Sequence, residues 1–78
     1  MAGEQRVLVT VDRGGRPRRL YYRGRRLQVQ QLLDEWEEAG CWWRGEDIRR
    51  VYRLLTRDGV IELHHQPSRG WRVARVFD

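Results

Sequence analysis

The strongest constraint on how this chain folds is one dipeptide. Asp58-Gly59 separates two runs, Ile48 to Arg57 and Val60 to Gln66, both rich in aliphatic and β-branched residues. Asp-Gly between such runs is a preferred pair for a two-residue type I′ hairpin, whose central residues both need positive φ. In that register Arg57 faces Val60, Thr56 faces Ile61 and Leu54 faces Leu63. Arg53 then stands opposite His64, and Leu55 opposite Glu62. Tyr52, Leu54, Ile61, Leu63 and His65 share one face; Val51, Arg53, Leu55, Val60, Glu62 and His64 share the other.

The flanking sequence continues the β pattern. Gln5 to Arg13 alternates, with Val7, Val9 and Val11 on one face and Leu8 and Thr10 on the other, which predicts a strand. Gly14-Gly15 breaks it, and Pro17 follows. Arg18 to Tyr22 is a second short strand, Arg23-Gly24 a tight turn, and Arg26 to Gln30 its partner. Gln66-Pro67-Ser68-Arg69-Gly70 is another turn cluster, and Trp71 to Phe77 a closing strand with Trp71, Val73 and Phe77 on one face. Between these lies an ambiguous stretch. Val29, Leu32, Leu33 and Trp36 follow i, i+3, i+4, i+7 spacing, the residues around them favour helix, and Gly40 suits a C-cap. Local spacing therefore predicts a short helix. The rival is a long strand bulged near Gln31, carrying Leu27, Val29, Leu32, Asp34 and Trp36. The expected architecture is a single, mainly β domain over residues 1–78. It is a small antiparallel sheet or partly open barrel of about five to six strands. At most one short helix is expected, near residues 30–39.

Size limits what such a domain can do. At 78 residues, one core supplies no more than about 3–5 kcal/mol without staples. The lone Cys41 forms no internal disulfide. Each buried aromatic removes about 150–250 Å² from water, so the four Trp are the expected staple. No apolar run reaches the length of a membrane helix, and the start lacks the apolar core of a signal peptide. With a free cysteine, this points to a reducing cytoplasm and no membrane.

The net charge of +5 is carried by 16 Arg and no Lys, a bias that either a GC-rich genome or selection for guanidinium chemistry accounts for. It is also unevenly spread: residues 1–26 carry +6, residues 27–47 carry −5 and residues 48–78 carry +4.

Catalytic constellations are weak. Cys41, His64 and His65 are the only soft metal ligands, and adjacent strand histidines point to opposite faces, so no metal and no cofactor is expected. Cys41 with a histidine is the only nucleophile–base pair, and nothing local supports it. Ser68 lacks an elbow motif. The carboxylates Asp34, Glu35, Glu37 and Glu38 read as a solvated helix face. Arg13-Gly14-Gly15-Arg16 lacks the Lys and hydroxyl of a phosphate loop and reads as a turn. The chain is therefore expected to be non-catalytic.

The basic patch is the main functional cue. Arg13, Arg16, Arg18, Arg19, Arg23, Arg25 and Arg26 fall within fourteen residues, with Tyr21 and Tyr22 among them. Arg binds phosphate bidentately and stacks on bases, and aromatic platforms beside Arg hold single-stranded nucleic acid. Arg18, Arg19, Arg23, Arg25 and Arg26 are the expected phosphate contacts and Tyr21 the stacking residue. The competing reading is a charged edge that blocks aggregation. Adjacent Trp42 and Trp43 cannot both point inward from an extended loop, so one is core and the other a candidate hot spot for a protein partner. That gives the alternative function, a protein-interaction module oriented by its charge segments, which includes pairing between copies. Oligomeric state itself is left open.

Taken together, Tyr22-Arg23-Gly24-Arg25, Val29, Trp36, Trp42-Trp43, the Asp58-Gly59 hairpin with Glu62-Leu63, and Trp71 through Val76-Phe77-Asp78 resemble a bacterial family of small domains of unknown function. Its members occur alone or appended to the C-terminus of Y-family, damage-tolerant DNA polymerase homologues. The resemblance covers residues 16–78 and carries over no catalytic residue. Leu20-Tyr21-Tyr22 stands where the family more often has Phe and Trp. The resemblance implies work near DNA repair or translesion synthesis, with DNA or a Y-family polymerase homologue as partner.

Overall fold

The structure, a computed structural model, describes residues 5–40, 42–45 and 47–77, without the side chain of Trp42. Eight strands run in chain order: β1 (Gln5–Arg6), β2 (Leu8–Val11), β3 (Pro17–Tyr22), β4 (Arg25–Gln28), β5 (Gln31–Glu38), β6 (Arg49–Thr56), β7 (Gly59–Gln66) and β8 (Gly70–Phe77). A 3-10 turn, Trp42–Arg44, lies between β5 and β6. The strands form a five-stranded antiparallel sheet, ordered β1-β8-β7-β6-β5, and a three-stranded one, ordered β2-β3-β4. Neither closes into a barrel. The mainly β expectation is met, with eight strands in place of five or six. No helix among the described residues is long and apolar enough to cross a membrane.

The N-terminal run is not one strand. It breaks at Val7, whose amide donates to the Trp71 carbonyl at 3.3 Å. β1 pairs with β8 and β2 with β3, so this run edges both sheets. Val7 points into the core as its alternation requires, while Val11 at the strand end is exposed.

The two sheets share one aliphatic core. Leu20 and Leu27 of the smaller sheet pack with Tyr52, Leu54, Ile61, Leu63 and Val73 of the larger, with Val7 between. Trp71 packs against the margin of this cluster. The expectation of a Trp staple is overturned for the described side chains: Trp36 and Trp71 are half-buried, and Trp43 is 68% exposed.

The helix expected near residues 30–39 is absent; the same residues form β5. Pairing with β6 overrides the local spacing. In register, Glu38 lies opposite Arg49, Glu37 opposite Arg50 and Asp34 opposite Arg53. The register shifts between Leu32 and Asp34, close to the bulge that the rival reading put near Gln31, but Leu27 belongs to β4 in the other sheet and not to this strand. The acidic run is thus a charged edge strand rather than a helix face, and charge on an edge discourages further pairing.

Two further corrections follow from the turns. The β6–β7 hairpin pairs Thr56 with Gly59 and Leu54 with Ile61, one residue per strand away from the expected register. Arg53 therefore meets Glu62, not His64. The turn residues are Arg57 and Asp58, both at negative φ, followed by Gly59 at φ 108°. Thr56 sets this shape: its hydroxyl oxygen accepts from the Asp58 amide at 3.1 Å and donates to the Gly59 carbonyl at 3.0 Å. The faces survive because the shift preserves parity. At β8 they do not. A bulge between Glu62 and Leu63 in the β7 pairing puts Val73 opposite Leu63 but Phe77 opposite Val60, away from the core face.

Candidate nucleic-acid interface

Alternation along β3 turns Leu20 inward and leaves Arg19 and Tyr21 exposed. Cross-strand pairing then assembles the outer face of the smaller sheet. Leu8, Tyr21 and Arg26 form one row, and Thr10, Arg19 and Gln28 the next. Leu8 is 75% and Tyr21 46% exposed. The Arg23-Gly24 turn, with both residues at positive φ (53° and 75°), supplies the twist that holds β3 and β4 in this register.

The structure divides the seven arginines of the basic segment. Arg16 ion-pairs with Glu35 at 3.2 Å, and Arg25 with Asp58 at 2.8 Å, so both are already engaged. Arg13 lies exposed in the turn after β2, and Arg18 alternates to the side of β3 away from Arg19. The Arg23 guanidinium sits over the Tyr22 ring at 5.3 Å. Only Arg19 and Arg26 share the outer face with Tyr21. Arg13, Arg18, Arg19, Arg23 and Arg26 meet no carboxylate among the described residues.

Three basic residues that the charge run did not include join this region. Arg57, at the hairpin tip, lines a polar cleft with Arg19, Arg26, Gln28 and Gln30. Arg6 and Arg69 line a groove on the other side of Tyr21, with Arg23 and Trp71. Tyr21 thus lines one arginine-bearing depression and is the cross-strand neighbour of Arg26, which lines the other. Sequence position hid these residues, because Arg57 lies 31 residues beyond Arg26 and reaches it only through sheet packing. Gln30 is fixed beside β6 by its main-chain N–H, which donates to the Leu55 carbonyl at 2.8 Å.

The other charged groups are engaged elsewhere. Arg50 bridges Glu35 at 2.6 Å and Glu37 at 3.0 Å. The Arg50 hydrogen bond holds Glu35 below the usual carboxylate range, with Arg16 adding to it against some burial. Glu38 is likewise lowered, by the Trp36 indole N–H at 3.0 Å and by Arg49. On the outer face of the larger sheet, Arg53 lies between the Trp36 and Phe77 rings and pairs with Glu62 at 3.2 Å. Burial pushes Glu62 up, but His64 at 3.0 Å and Arg53 outweigh it, and the net shift is downward.

His64 and His65 point to opposite faces, one toward Glu62 and the other against the Trp71 ring at 4.4 Å. Cys41 and the Trp42 side chain lie outside the described residues, and with them the Cys41–histidine pair and the inward tryptophan; Trp43 is exposed.

No curated protein and no solved structure matches the chain. The match to a family model begins at residue 4 and so includes β1 and β2, which the resemblance over 16–78 had left out. That family is described as a domain of unknown function, DUF6504; its model spans residues 4–78, and the chain belongs to it.

Proposed function

We propose that the protein is a non-catalytic accessory module that contacts nucleic acid through the outer face of its three-stranded sheet. One observation carries the reading: Tyr21 is exposed beside Arg19 and Arg26, which pair with no carboxylate among the described residues. On β5 and β6, by contrast, Glu35, Glu37 and Glu38 pair with Arg49 and Arg50. An exposed aromatic on a sheet flanked by guanidiniums offers a base a stacking surface and the backbone its counter-charges. The resemblance to domains appended to Y-family polymerase homologues supports placing this contact in repair or translesion synthesis, beside such a polymerase.

The test is nuclear magnetic resonance mapping with a short single-stranded oligonucleotide at low salt. Shifts concentrated on Leu8, Arg19, Tyr21 and Arg26 support the proposal. Shifts absent from that face at saturating oligonucleotide overturn it.

A second reading, a protein-docking module, is favoured by one observation, the 68% exposure of Trp43 in the turn before β6. Trp43→Ala would abolish capture of a polymerase homologue under that reading, and leave oligonucleotide binding intact.

A further inference from the structure

We propose that the cleft between the β6–β7 hairpin tip and the smaller sheet seats one backbone phosphate of a single strand, whose neighbouring base lies on Tyr21. This rests on the nucleic-acid reading above and deepens it, by naming the ligand group, the register and the strandedness.

The cleft has a volume of about 470 Å³ and is lined by Arg19, Arg26, Arg57, Gln28 and Gln30. Its three guanidiniums come from three separate pieces of chain: β3, β4 and the hairpin turn. None of the three ion-pairs with a carboxylate among the described residues. Guanidinium side chains that line one cleft and pair with no acid among the described residues suit the oxygens of a phosphate diester, and glutamine amides can add neutral donors. Mutual repulsion among the three arginines is relieved when an anion enters.

The hairpin tip is held for this task from both sides. Asp58 takes Arg25 of β4 at 2.8 Å, and the Gln30 main-chain N–H donates to the Leu55 carbonyl at 2.8 Å. Because the turn residues are Arg57 and Asp58, the first is turned toward the cleft while the second is tied to the sheet. A type I′ turn over Asp58-Gly59 would have left Arg57 inside the strand ladder.

Strandedness follows from Tyr21. It is the direct cross-strand neighbour of Arg26, so a phosphate at Arg26 brings the adjacent base over the ring. Only an unpaired base can expose its π-face to that ring; a duplex keeps its bases stacked.

The experiment measures binding of a labelled oligothymidylate by fluorescence anisotropy over a range of salt concentrations. The full chain is compared with Arg57→Gln and with Arg75→Gln, a change on the far face of β8. Removing one phosphate contact to a single strand flattens the slope of log K against log salt by about 0.7. That flattening, with a several-fold weaker Kd, is expected for Arg57→Gln and not for Arg75→Gln. Both positions are exposed or at a turn, and circular dichroism confirms that both variants fold. Normal oligothymidylate binding with an unchanged Arg57→Gln slope overturns the phosphate seat while leaving the nucleic-acid reading standing. No binding by the unaltered chain overturns both. Tighter binding of a duplex of equal length overturns the single-strand assignment. Displacement of the strand by inorganic phosphate at constant ionic strength reassigns the cleft to a free anion and also overturns it.

Discussion

Asp58 and Arg25 meet at 2.8 Å across the two sheets, the hairpin tip of one tied to the edge strand of the other. The pair is solvent-exposed, with side chains 29% and 57% accessible, so its contribution to stability is about 0.2–1 kcal/mol. Asp58→Asn is expected to lower the melting temperature slightly at low salt and not at all near 1 M, where screening has already removed the attraction. Thermal scans at both salt concentrations check this; an equal loss at both contradicts an electrostatic origin.

Tyr21→Ala is expected to weaken single-strand binding by about 1–3 kcal/mol, the range for loss of one stacked base, while Tyr21→Phe retains it. Folding stability should barely change, because the ring is nearly half exposed. Anisotropy and thermal melting on the same two variants separate these effects.

Leu20→Ala and Leu63→Ala are each expected to cost about 2–5 kcal/mol, since both side chains are fully buried in the cluster the two sheets share. For a chain this size that is most of the available stability. Urea titration should show both variants losing structure in one transition. Unfolding of only the smaller sheet in Leu20→Ala would mean that the sheets do not share a cooperative core.

Acid should destabilise the fold through Glu35, Glu38 and Glu62, all held below the ordinary carboxylate value. A carboxylate with a depressed folded pKa binds fewer protons folded than unfolded. Its stabilisation is complete above the unfolded value of about 4.3 and is lost as pH falls through the folded one. Glu62→Gln should therefore flatten the acid limb of a melting-temperature profile. His65 adds a second window. Burial lowers its pKa, so the fold loses stability as pH falls from about 6.5 toward the folded value. A profile that is flat down to pH 3 contradicts both.

How much of this was legible depended on whether the deciding contact was local. The short strand over Arg18 to Tyr22 was legible, and strand alternation then sets Arg19 and Tyr21 on one face. The Asp58-Gly59 pair revealed the hairpin but not its register, because the Thr56 hydroxyl selects the turn. The β5 strand was misread as helix because Leu32, Leu33 and Trp36 have helical spacing in isolation. The missed signal was complementarity at a distance: Asp34, Glu37 and Glu38 mirror Arg53, Arg50 and Arg49 in antiparallel order. Arg57 escaped notice for the same reason, since it joins Arg19 and Arg26 only once the sheets pack. Phe77 was placed on the wrong face because one bulged residue reverses all alternation after it.

The most direct test of the central claim is a salt-dependent anisotropy titration comparing the unaltered chain with the double variant Arg19→Gln, Arg26→Gln. These two arginines flank Tyr21 and pair with no carboxylate among the described residues. The account predicts micromolar binding to single-stranded DNA at low salt, falling steeply as salt rises, and lost in the folded double variant. Unchanged affinity in that variant, or no binding by the unaltered chain at micromolar concentration in low salt, would contradict it.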